Sequence, residues 1–182
     1  MDQGLIPRRY AKALFKFAET PQRQQHLYAL MGNLAKAFDK DHLLQQTVKN
    51  PFVENAAKEQ LVFTAAGVSD PAKEKDLADF VKLLVTNRRV DMIRDIALAY
   101  LYIYRHTNNI YSVKIESAAP LSDADRQRIV DMIEKHLDGA TAEYSYEVDP
   151  DLIGGFVVNI DSERLDASIK NELKQLRLKL IK

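Results

Sequence analysis

The feature that most limits how this chain can fold is a change of hydrophobic period near residue 108. Before that point apolar residues recur every three or four positions; after it, two stretches alternate apolar and polar. The first spacing belongs to helices with one buried face, the second to half-buried strands. No single kind of layer satisfies both. The fold is therefore predicted to be mostly α: an N-terminal six-helix bundle over residues 1–107, then a small α+β domain over residues 108–182.

The helices follow from spacing and punctuation. Leu5, Ile6, Tyr10, Leu14 and Phe17 mark the first, with Arg8, Arg9, Lys12 and Lys16 between them. Thr20-Pro21 supplies a cap and a first-turn proline for the second, which carries Leu27, Leu30, Met31, Leu34 and Phe38. A short third helix carries Leu43, Leu44 and Val48, and Asn50-Pro51 breaks the chain after it. The fourth has Ala57, Leu61, Val62 and Ala65 and stops at Gly67. Ser69-Asp70-Pro71 reads as the start of the fifth, with Leu77, Phe80, Val81, Leu84 and Val85. After the break Asn87-Arg88-Arg89, a sixth carries Val90, Ile93, Ile96, Ala97, Tyr100 and Tyr104. Short loops between six helices imply antiparallel neighbours.

His106 to Asn109 reads as a polar hinge, and Tyr111, Val113, Ile115 and Ser117 then alternate as a strand. Ser122 and Asp125 fit a capping box for a helix that buries Ile129, Val130, Ile133 and Leu137 and closes at Gly139. Tyr144, Tyr146 and Val148 form a second strand, Asp149-Pro150-Asp151 a turn, and Leu152 to Ile160 the return strand of a hairpin. Gly154-Gly155 inside it signals a bulge or a close backbone approach. The last helix is predicted from Arg164 to Ile181, with Leu165, Ile169, Leu173, Leu176 and Leu180 in one stripe. The order is strand, helix, hairpin, helix.

Composition narrows the function more by exclusion than by assignment. No apolar run reaches the roughly 18 residues of a spanning helix. Met1-Asp2-Gln3-Gly4 has neither the basic start nor the apolar core of a secretory signal. There is no cysteine, which excludes disulfides and thiolate chemistry. Net charge is zero, but residues 1–107 hold 16 Lys+Arg against 12 Asp+Glu, a net of +4, and the remainder holds a net of −4. An RNA platform built on Tyr144, Tyr146 and Phe156 would sit in the acidic half, against the basic excess such binding needs. The four histidines lack metal spacing, Gly154-Gly155 lacks the third glycine of a phosphate loop, and no nucleophile elbow occurs. No catalytic residue, metal or cofactor is predicted.

What remains is surface. The first helix offers Tyr10, Ala13, Leu14 and Phe17; the fifth offers Phe80, Leu83, Leu84 and Asn87. Each stripe alone reads as core. The fifth helix, however, has more apolar residues than one buried face requires. Two such helices can leave a groove for a partner's amphipathic helix. The terminal leucines Leu173, Leu176 and Leu180 have the same two readings, packing on their own sheet or docking a partner.

Four blocks, in order, carry a family resemblance: Arg8-Arg9-Tyr10-Ala11-Lys12-Ala13-Leu14-Phe15; Asn50-Pro51-Phe52 with Phe80 to Arg89; Asp151 to Val158; and Leu165-Asp166-Ala167-Ser168-Ile169 with Leu173 to Leu176. The chain resembles the delta subunit of F-type ATP synthases, the oligomycin-sensitivity-conferring protein family, over about residues 5–181. The resemblance implies a non-catalytic stator subunit. Its N-terminal domain would hold the N-terminal helix of an alpha subunit and touch other catalytic-head subunits. Its C-terminal domain would grip the C-terminal end of the b subunits. It implies no nucleic acid, only indirect membrane association, and a place at the cytoplasmic face of a bacterial inner membrane. Asp166 and Ser168 are expected in the first turn of the last helix. Two departures stand out: Pro7 where the family often has a small residue, and no glycine in Asn87-Arg88-Arg89.

Overall fold

The computed structural model describes residues 4–161 and 163–180, without the side chains at 172, 179 and 180. The predicted end of the last helix at Ile181 and the side chain of Leu180 therefore fall outside the described residues. The chain is mostly helical with a small four-stranded mixed sheet. It divides into two compact units, Met1–Tyr104 and Arg105–Lys182.

The first unit contains α1 (Leu5–Phe17), α2 (Pro21–Lys40), α3 (His42–Lys49), α4 (Asn55–Ala66), α5 (Lys75–Thr86) and most of α6 (Ile93–Thr107), which a 3-10 turn at Val90–Met92 precedes. Local chemistry sets the boundaries. The Thr20 hydroxyl accepts the Arg23 amide at 3.4 Å and Pro21 opens α2. Asp41 accepts the Leu43 amide at 2.8 Å and opens α3. Gly67 closes α4 in the left-handed region, φ 79. The predicted start signal Ser69-Asp70-Pro71 makes a turn instead. Asp70 Oδ1 accepts the Ala72 amide at 3.1 Å, and α5 begins only at Lys75.

Every helix of this unit turns residues into one cluster that includes Leu14, Leu27, Met31, Phe38, Leu84 and Ile96. Tyr100 lies fully inside it and donates its hydroxyl to the Gln24 carbonyl at 3.1 Å. Burial raises its phenol pKa. α4 buries Val62, Phe63 and Ala66, whereas the predicted face included Ala57, which is exposed. That helix is apolar on several sides, so periodicity alone selected the wrong face.

In the second unit β1 (Ile110–Ser117), α7 (Asp123–His136), β2 (Thr141–Val148), β3 (Gly155–Ile160), β4 (Glu163–Ser168) and α8 (Ile169–Leu180) follow in order. The sheet order is β2-β1-β3-β4. β1 and β2 are parallel, joined through α7; β1–β3 and β3–β4 are antiparallel. The capping box forms: Ser122 Oγ accepts the Asp125 amide at 3.2 Å and donates to Asp125 Oδ2 at 2.6 Å. Val113, Ile115, Val158 and Ile160 pack with Ile129 and Ile133 of α7 on one face. The other face carries Lys114, which bridges Glu116 at 2.6 Å and Glu147 at 2.7 Å, beside the buried Val157.

The predicted hairpin and last helix need correction. β2 and β3 do not pair; the hairpin is β3–β4. β4 comes from residues read as the start of the last helix. Leu165 and Ile169 lie four apart, a spacing that fits one helical turn or two strand repeats equally. Asp166 and Ser168 thus sit on β4, ahead of α8. There Ser168 Oγ accepts the Asn171 amide at 3.2 Å, a capping contact that opens α8, and donates to Asp166 Oδ1 at 2.6 Å. Those Ser168 bonds lower the pKa of Asp166. The hairpin needs Gly155, whose φ is +80 and whose missing Cβ would lie 2.4 Å from the Ala167 carbonyl oxygen.

Two backbone positions give opposite predictions. Gly155→Ala should cost about 2–3 kcal/mol in urea unfolding, because a left-handed φ and a backbone clash coincide. Arg88 has φ 55, in the turn where Arg89 N–H reaches the Leu84 carbonyl at 2.8 Å. Relief of a non-glycine left-handed residue, less the entropy glycine adds to the unfolded chain, predicts that Arg88→Gly stabilises by about 0.5–1 kcal/mol. An unchanged urea midpoint for Arg88→Gly would show that this turn carries no strain.

Candidate partner-binding surfaces

α1 and α5 leave an open groove of about 320 Å³ on the first unit. Ala13, Leu14 and Phe17 line it from α1, and Phe80 and Leu83 from α5. Helical spacing produces this lining: 13, 14 and 17 share a face, as do 80 and 83. Leu14 and Phe80 form its buried floor, while Phe17 and Leu83 are 53% and 48% exposed at its rims. Tyr10 does not line the groove. Its ring meets Phe80 edge-on, centroids 6.5 Å apart, and so packs against a floor residue. Leu84 does not line it either. It is fully buried in the helical core, one position round the helix from Leu83. Asn87 is exposed at the end of α5, its amide donating to the Leu83 carbonyl at 3.0 Å, outside the lining.

Sequence reasoning missed Asp76 and Asp79, which also line the groove. Their spacing to Phe80 and Leu83 along α5 was the available signal; an apolar-only search passed over it. Arg23 on α2 holds Asp76 with two bonds, Nε to Oδ2 at 2.8 Å and Nη2 to Oδ1 at 2.6 Å. The same guanidinium lies 5.5 Å over the Phe17 ring. Hydrogen bonding from Arg23 keeps the Asp76 carboxyl below its ordinary pKa, and the pairing raises that of Arg23. Beside this pair, His26 meets Glu74 at 2.6 Å.

The second unit offers a different surface. Leu165, Ile169, Leu173 and Leu176 are all exposed, so the stripe from β4 into α8 is not consumed by the sheet. Leu173 and Leu176 were predicted; Leu180's side chain is not described. A hollow of about 190 Å³ lies between α7 and the β3–β4 hairpin, lined by Met132, His136, Val158, Ile160, Leu165 and neighbours. Exposed Met132 and Ile153 extend the apolar surface. Both fell outside the predicted stripes, Met132 because it flanks the buried face of α7, Ile153 because it sits in a loop.

Among the described residues no group of three or more His, Asp or Glu could hold a metal ion. Among the same residues no helix is long and apolar enough to cross a membrane. What the described surfaces offer is apolar area edged with charge.

The family described as ATP synthase delta (OSCP) subunit matches residues 6–180. A protein called ATP synthase subunit delta from Parabacteroides distasonis is 33% identical over 181 residues, covering 100% of this chain and 98% of its own. One of the same name from Phocaeicola vulgatus is 33% identical over 178 residues, covering 98% and 95%. A chain of the Toxoplasma gondii mitochondrial ATP synthase hexamer, 19% identical, superposes with a TM-score of 0.72 over 98% of this chain and 99% of its own, and so shares the fold. With a family match over nearly its whole length and full-length relatives at one third identity, the chain belongs to the ATP synthase delta (OSCP) subunit family.

Proposed function

We propose that this chain is a connector without bond-making chemistry, the stator subunit that ties the catalytic head of an F-type ATP synthase to its peripheral stalk. The helices of the first unit, acting as one bundle, hold the N-terminal helix of an alpha subunit in the α1–α5 groove. The second unit grips the C-terminal end of the b subunits. Together they resist rotor torque while proton flow drives ATP synthesis. Bacterial relatives support a place at the cytoplasmic face of a bacterial inner membrane, reached through the assembled complex.

The observation that carries this reading is the groove itself. Phe17 and Leu83 stand half exposed above the buried Leu14 and Phe80, an arrangement suited to a helix with anchors three and four residues apart. Fully burying a large apolar side chain is worth about 1.5–3 kcal/mol, and roughly half of that remains to be gained at each rim residue. A stable interface needs on the order of 1,200 Å² in total, more than two residues supply. The flanking turns of α1 and α5 must therefore contribute, with the rims as the energetic centre.

Calorimetry on the full chain with a synthetic N-terminal peptide of the same organism's alpha subunit tests the groove. Leu83→Asp and Phe17→Asp should each weaken binding about tenfold or more. Their thermal unfolding should match the parent, since both sites are half exposed. Leu84→Asp is unsuitable, because it places an unpaired charge in the core and unfolds the unit. Unchanged affinity in both rim variants sinks the groove assignment.

The stalk end is tested by Leu173→Asp combined with Leu176→Asp. Deleting residues 165–182 would remove most of β4 and damage the sheet. The double variant should lose capture of a fragment from the C-terminal end of the b subunits and keep the alpha-peptide affinity. Retained capture would overturn the assignment of α8 to the stalk.

A further inference from the structure

The groove on α1 and α5 is not purely apolar, and on the reading that it docks a helix this has a consequence for which helix it accepts. Arg23 touches both Phe17, 5.5 Å from the ring, and Asp76, at 2.6 Å. Phe17 and Asp76 therefore share one end. Asp79 lies one turn along α5 from Asp76, on the same face, next to Phe80. Ala13 and Leu83 line the other end, and among the described residues no Lys or Arg lines the groove.

One carboxylate of the groove makes no bond. Both bonds of Arg23 to a carboxylate go to Asp76. Asp79 is exposed and takes part in no hydrogen bond or ion pair among the described residues. One carboxylate is left unbonded beside an apolar trough. Lys75 and Lys82 lie four before and three after it on the same helix, and neither bonds to it.

We propose that the groove selects a helix placing a lysine or arginine over Asp79. The physical reason is that an apolar stripe with anchors at three and four residues is common to many amphipathic helices, so apolar contact alone separates them poorly. A charge halfway along the groove does separate them. A helix with an apolar residue over Asp79 leaves the carboxylate partly desolvated without a partner, and an acidic residue there is repelled.

The test uses the full chain, the alpha-subunit N-terminal peptide, and versions of that peptide with each Lys or Arg changed singly to Glu. Asp79→Asn should weaken binding about two- to five-fold, the range of an exposed ion pair, and flatten its dependence on salt. Asp79→Lys should weaken it further, and one charge-reversed peptide should recover affinity for Asp79→Lys alone. Leu83→Asp is the control for the groove itself. Loss of binding by Leu83→Asp, with both Asp79 variants at parental affinity, leaves the groove standing and overturns the charge selection. Weakening by Asp79→Lys that no peptide rescues also overturns it. If Leu83→Asp binds as the parent does, the groove reading fails, and this one with it.

Discussion

Helix α5 carries more apolar surface than the core of its own unit takes up. Leu77, Phe80, Val81 and Leu84 are buried, Ala78 and Val85 are half covered, and Leu83 still stands out at the surface. A helix buries one stripe against its neighbours, and a second stripe has nowhere to go unless another helix arrives. α1 meets the same limit, since Leu14 goes in and Phe17 stays out. Two adjacent helices, each with one surplus residue, make a trough rather than two isolated exposed side chains. Scattered exposed leucines are ordinary on a protein surface; a paired surplus with a buried floor is not.

The groove's shape is held by contacts that lie outside it. Tyr10 braces Phe80 edge-on, and Arg23 reaches from α2 to clamp Asp76 and cover Phe17. These are positioning contacts, and their value is geometric more than energetic. Arg23 is substantially exposed, so solvent screens its pairing and little net stability results. What the clamp does is keep Phe17 in one place. An anchor that must first be ordered loses affinity to that ordering, and a pre-set one does not.

Much of this was legible in the sequence, and the misses have physical causes. α2, α3 and α4 follow from period and punctuation, each with a cap, a proline or a glycine at a boundary, whereas α5 and α6 follow from period alone. Of the residues read as groove lining, Ala13, Leu14, Phe17, Phe80 and Leu83 do line it, and Tyr10, Leu84 and Asn87 do not. Leu84 was grouped with Leu83 because adjacent residues cannot be told apart by periodicity when both are apolar, and roughly 100° of rotation decides between core and rim. Asp76 and Asp79 were passed over because carboxylates on a helix ordinarily mean a solvated face. In the second unit the strand β4 merged with α8, since so short an alternation is too little to outweigh a leucine spacing that continues into the helix. Only the pairing register, which needs three dimensions, separates the two.

The glycine pair resolves the same ambiguity from the other side. Gly155 allows β3 and β4 to approach until its missing Cβ would clash with the Ala167 carbonyl, and Gly154 lies under Ile169 at the start of α8. The chain therefore turns from β4 into α8 at a fixed place, with Ser168 capping the first turn. Beyond that exit Leu173 and Leu176 are uncovered. Had the last helix begun at Arg164, as spacing alone suggests, its leucine stripe could have lain on the strands and completed their core. The strand inserted before it takes that option away, so the same residues that close the sheet are the reason the terminal stripe is available to another protein.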